Sequence, residues 1–125
     1  MTVRNAKPLV WIGSSRRDLK SFPEAAHDRI GFALYLAQIV SRHRDSKSLV
    51  GIGSRVTEVI TDVGGDTFRT IYTVQFRLAI YVLHVFHKKS KSGIAAPLAE
   101  INLVRSRLKA AEQHHRDMER AEKKR

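Results

Sequence analysis

Apolar residues recur at helical spacing in two stretches of the chain and crowd into strand-like runs in others. From Pro23 to about His43, Ala26, Ile30, Ala33, Leu34, Ala37 and Val40 fall at helical spacing, which predicts a helix. Phe32, Tyr35, Leu36 and Ile39 widen that stripe. Ser21-Phe22-Pro23-Glu24 has the spacing of a capping box, with proline in the first turn. Upstream, residues 7–13 read as a short strand ending at Gly13, and residues 14–20 as a short helical turn. A second helical period, Leu98, Ile101, Val104 and Leu108, predicts a helix opened by Pro97. Beyond Ala111 the pattern becomes polar, so residues 112–125 read as an exposed helix extension or a frayed tail.

Between these helices lies a β-rich middle. Residues 56–62, 67–76 and 79–88 read as strands, and Val63-Gly64-Gly65-Asp66 is a strong hairpin signal. Arg77-Leu78 is expected to turn the chain between the last two strands. The basic segments around Arg42, Arg44 and Lys47, and around Lys89 and Lys91, read as loops. The order β–α–α–β–β–β–α predicts one α+β domain spanning residues 1–125. In it a small antiparallel sheet carries two N-terminal helices and a C-terminal helix, all packed on one face.

The hairpins give a register. With Gly64-Gly65 as a two-residue loop, Ile60 lies opposite Arg69 and Glu58 opposite Ile71; with Arg77-Leu78 as the next, Arg69 faces Phe86 and Thr67 faces Lys88. One face then collects Phe68, Tyr72, Val74, Phe76, Tyr81, Leu83 and Val85, the natural floor for the helices. The other collects Glu58, Ile60, Asp62, Arg69, Ile71, Ile80, Val82, His84, Phe86 and Lys88.

Composition narrows the chemistry. The 125 residues hold 23 Lys and Arg against 12 Asp and Glu, a net charge of +11, with no cysteine. A disulfide framework, a thiolate zinc site and a cysteine nucleophile are excluded. No run of residues is long and apolar enough for a signal peptide or a membrane span, so a cytoplasmic domain with no membrane partner is expected. The charge asks for a polyanion. On the second sheet face, Arg69 ringed by Lys88, Lys89 and Lys91 is a plausible phosphate site, since guanidinium grips phosphate with two parallel hydrogen bonds. The competing reading is an ordinary cross-strand ion pair between Arg69 and Glu58, with lysines that only solubilise a strand end. His84 shares that face and could carry a proton near neutrality, or simply be packed. His114 and His115 are adjacent on a helix, cannot share a metal, and are expected to be solvated.

Two segments carry a resemblance. Gly65 to Val74, around Phe68-Arg69-Thr70-Ile71-Tyr72, resembles the arginine-bearing strand of the RelE/ParE toxin superfamily. Tyr81-Val82-Leu83-His84-Val85-Phe86-His87-Lys88-Lys89-Ser90 resembles a strand of its phage-derived, HigB-like branch. Residues 7–14 and 18–23 resemble that branch's opening, and Pro97 with Glu100 to Leu103 its helix start, so the likeness runs in order over about residues 7–111. It implies a RelE-like fold and the toxin of a type II toxin–antitoxin pair. Such a toxin cuts mRNA on the ribosome without a cofactor or metal and is held by a cognate helix-turn-helix, HigA-like antitoxin. By the same likeness Arg69 would clamp the phosphate, while Lys88 and Lys89 would supply a phosphate contact or a general acid. Glu58, where RelE has lysines nearby, would be a base or would orient Arg69. His84 completes the catalytic set, and Arg42, Arg44, Arg55 and Lys91 are expected to meet RNA. Arg69→Ala is expected to abolish toxicity and spare the fold. The alternatives are a ParE-like inhibitor of DNA gyrase and a basic nucleic-acid-binding accessory protein.

Overall fold

The computed structural model describes residues 6–39, 46–48, 56–88 and 98–124. The elements are β1 (Leu9–Trp11), α1 (Ser15–Lys20), α2 (Glu24–Gln38), β2 (Ser46–Ser48), β3 (Val56–Val63), β4 (Asp66–Thr73), β5 (Ile80–Lys88) and α3 (Leu98–Lys123). The strands form one mixed sheet in the order β1-β5-β4-β3-β2. The α+β class is as expected. Two features add to it: β1 runs parallel to β5 at one edge, and β2, in a segment that read as a loop, pairs antiparallel with β3 at the other.

The first hairpin is as the glycines demand. Gly64 and Gly65 have φ of 60° and 87°, the left-handed values a two-residue loop requires, and Ile60 pairs with Arg69 and Glu58 with Ile71. The second hairpin keeps the expected register from Thr67↔Lys88 to Ile71↔His84, then slips so that Tyr72 pairs with Val82. Leu83 is the extra residue of a β-bulge. The connection is also wider than two residues, running from 74 to 79.

The bulge reassigns the faces. Ile80 and Val82, expected beside Arg69, instead join Val59, Phe68, Tyr72 and Val85 against Ala26, Ile30, Ala33, Leu34 and Ala37 of α2. Tyr81 and Leu83, expected on the face of Phe68 and Tyr72, instead join Val56 and Ile71 against Val104 and Ala111 of α3. Phe76 goes with them. The sheet thus has two apolar floors, and the helices divide: α1 and α2 cover one face and α3 the other. The expectation that all helices share one face fails for this reason.

Two boundaries move as well. Ser21 does not cap α2; it ends α1, its hydroxyl donating to the Asp18 carbonyl at 2.6 Å, and Pro23 is the residue before α2. The C-terminal segment is helical through Lys123, and Ala111 and His115 on its inner face are buried.

Candidate functional site

The sheet face under α3 holds two polar groups. The first is the pair Glu58–Arg69. Side chains two positions apart on a strand share a face, so β3 and β4 set these two diagonally, Glu58 opposite Ile71 and Ile60 opposite Arg69. Arg69 Nη1 donates to Glu58 Oε2 at 2.9 Å, and each side chain is only 1% exposed. Both predicted readings of Arg69 were surface readings, yet the pair is an interior one. Two charges out of water lose hydration that their contacts repay only with good geometry, and removing one partner is costly. The expectation that Arg69→Ala spares the fold therefore does not follow from this packing: truncation would leave the Glu58 carboxylate buried opposite an apolar stub.

The second group centres on His84, which β5 places beside Ile71 on the same face. Its Nε2 lies 2.5 Å from Glu100 Oε2 and its Nδ1 3.1 Å from Arg107 Nη1. Guanidinium has no acceptor, so Nδ1 must carry the lone pair and the imidazole proton sits on Nε2, donated to Glu100. Arg107 also donates to the Leu83 carbonyl and to Ser14 Oγ, both at 3.1 Å, and the Ser14 hydroxyl donates to Asp18 at 2.6 Å. Gly13 makes this possible. Its φ is +59°, and a Cβ there would stand 2.8 Å from Arg107 Nε and 2.9 Å from Cζ. Both ring nitrogens of His84 are thus engaged, and the histidine joins the bulge of β5 to α3 rather than standing open as a proton carrier.

Glu100, Arg107 and Gly13 were not singled out by sequence reasoning. One signal was present: Glu100 and Arg107 are seven residues apart, so they share the flank of α3 beside its buried stripe.

The remaining predicted residues are spread more widely. The Lys88 backbone pairs with Thr67 at the end of β5, at the rim of the same sheet. Lys89, Lys91, Arg42, Arg44 and Arg55 lie outside the described residues. His87 turns to the α2 side, stacked on Phe68 at 4.7 Å with Nε2 3.3 Å from Asp66. Among the described residues no three His, Asp or Glu side chains gather as a metal site would require.

The two C-terminal histidines correct the expectation of solvated rings. His115 is buried and its Nε2 accepts from the Leu78 backbone N–H at 3.2 Å. His114 Nδ1 shares a 2.8 Å hydrogen bond with the Tyr81 hydroxyl. Burial pushes that phenol up to about 12. Outside them, Arg77 pairs with Glu122 at 2.6 Å and Glu119 at 3.8 Å, and the hydrogen bond and charge of Glu122 raise the arginine's pKa further. Among the described residues no helix is long and apolar enough to cross a membrane.

Residues 17–109 match the family described as phage derived protein Gp49-like (DUF891). That span runs from α1 to the middle of α3 and includes every residue of both polar groups except Gly13 and Ser14. No curated protein matches the chain.

Proposed function

The chain belongs to the phage-derived Gp49-like family, a toxin-like family, and from that premise we propose that it is the toxin of a type II toxin–antitoxin pair, a metal-independent endoribonuclease that cuts mRNA on the ribosome. The observation that supports this reading is the Glu58–Arg69 pair, an ion pair both of whose side chains are 1% exposed in the middle of a sheet. A well-packed apolar pair would hold such a position at least as stably, so a reason beyond stability favours the charges.

The chemistry asked of the site is RNase-like. A 2′-hydroxyl loses its proton and attacks the adjacent phosphorus, the bond to the 5′-oxygen breaks, and that oxygen takes up a proton. Charge accumulates on the phosphorane oxygens, where a fixed guanidinium has its largest effect. Arg69 is the group for that role and Glu58 the group that orients it, with Lys88, the last residue of β5, and Lys89, next in sequence, as phosphate contacts. His84, engaged at both nitrogens, serves to fix β5 to α3. In the packed state Arg69 is sealed, so this reading requires the layer over it to part when RNA binds. The cognate partner is a helix-turn-helix antitoxin, and the site of action is the cytoplasm.

Paired replacement avoids the folding problem of a single truncation. The wild type should arrest translation soon after induction, seen by pulse labelling, and should cut mRNA in a purified translation system only when ribosomes are present. Glu58→Leu with Arg69→Met should fold, by its circular dichroism, and do neither. A folded double variant as toxic as the wild type would remove Arg69 from the mechanism. DNA damage with translation intact would point to the gyrase-inhibitor alternative.

A further inference from the structure

The last helix carries nearly balanced charge: six Lys and Arg and five Asp and Glu lie between Leu98 and Lys123. The fold separates them. Glu100 is turned inward to His84, and Glu119 and Glu122 are drawn to Arg77 on the loop between β4 and β5. Arg107 is turned inward to Ser14 and the β5 backbone. The remaining five cations, Arg105, Lys109, Arg116, Arg120 and Lys123, are all exposed. At about 100° per residue they fall within an arc of roughly 60°, a third of a turn from the buried stripe of Val104, Ala111 and His115. Among the described residues Glu112 borders this arc, and Asp117, 3.2 Å from Arg120, tempers it. The result is a straight positive ridge roughly 27 Å long.

The ridge is stiff because its inner side is anchored. His115 accepts from Leu78, His114 bonds Tyr81, and Met118 packs on the second core, so the polar C-terminal turns are held against the sheet. Arg116, Arg120 and Lys123 lie beyond residue 109, outside the span that matches the family.

We infer that this ridge docks on the phosphate backbone of a double-helical nucleic acid. Rigid, evenly spread cations suit a regular row of phosphates, where contacts are electrostatic and independent of sequence. Single strands are gripped by aromatic side chains that stack on bases, and the ridge has none. A protein partner needs an apolar centre to its interface, and no large apolar side chain is interleaved between Arg105 and Lys123 on this arc. The docking is separate from the cleavage chemistry proposed above, and stands or falls without it.

The test is anisotropy binding of the full chain to a fluorescent RNA duplex, a DNA duplex of the same sequence, single-stranded RNA and polyglutamate, each across a salt series without ribosomes. Duplexes should bind more tightly than the single strand or polyglutamate, and the RNA and DNA arms identify which duplex is preferred. Lys109→Ala with Arg116→Ala should lower the log–log salt slope by about 2 and weaken binding equally for different sequences. Arg17→Ala with Lys20→Ala, on the exposed side of α1, removes the same charge and should leave the slope near that of the wild type. An unchanged slope in the ridge variant, an equal fall in the α1 variant, or polyglutamate binding as tight as duplex would overturn the inference.

Discussion

Two ion pairs with the same chemistry sit at opposite ends of the molecule's range of environments. Glu58–Arg69 spans two central strands with both side chains 1% exposed; Arg77–Glu122 joins a loop to the end of α3 with its arginine 60% exposed. Their shortest contacts are similar, 2.9 Å and 2.6 Å. Distance therefore says little about what either contributes. In water the second pair competes with solvent and counter-ions; in the interior the first is shielded from both. The exposed pair sorts charge along a helix, whereas the buried one commits the sheet to keeping both members.

The largest effect expected is at the buried pair. Glu58→Ala leaves a guanidinium opposite an apolar stub and should lower the unfolding free energy by about 3–5 kcal/mol in urea titrations. Glu58→Leu with Arg69→Met should be close to wild type or above it. A single-variant loss below about 1 kcal/mol would mean that the interior behaves like the surface, and the contrast would collapse.

An intermediate case is Tyr81, beneath the C-terminal turns. Its folded pKa, about 12, lies above the ordinary value of 10.0. The folded state therefore holds a proton that the unfolded chain has released between these values. The contribution is complete below pH 10 and is lost as pH rises toward 12. Alkaline unfolding of the wild type should show this fall, and Tyr81→Phe should flatten it. An identical slope in the variant would place the ring in a more hydrated setting.

The smallest effect belongs to Arg77→Ala. Melting should shift only slightly at low ionic strength, and the difference should vanish in about 1 M salt, where screening acts over roughly 3 Å. A shift that survives high salt would show the outer pair to be less exposed to solvent than its partner distances imply.

How much of this was readable from residues alone divides along similar lines. Gly64-Gly65 announced its own loop, and the register of β3 against β4 followed by counting. The slip after Ile71 was invisible, because Leu83 and its neighbours are apolar enough to suit either face and carry no glycine to mark a bulge. From that slip came the wrong partition of Ile80, Tyr81, Val82 and Leu83, and with it the missed second floor for α3. β2 was missed because Ser46-Lys47-Ser48 has neither β-branched nor aromatic side chains. The proximity of Arg69 to Glu58 was legible from register, but its burial was not, since charges mark a face as solvated. His114 and His115 looked polar in a polar stretch; only the returning loop at Leu78 supplies the donor that occupies one of them.

One element has a consequence in time. β1 is three residues long, and among the described residues every strand partner it has belongs to β5: Leu9 with Ile80, Val10 with Tyr81, Trp11 with Val82. Ser15 adds a bond to the Val82 carbonyl, and Ser14 waits for Arg107. On a ribosome building the chain from its first residue, this edge has nothing to pair with until residue 82 has emerged, and its fastening to α3 comes later still. Contacts so distant in sequence close late and slowly. β1 is therefore among the last parts of the sheet to be completed, and a nascent chain stopped anywhere before β5 has no strand for β1 to pair with.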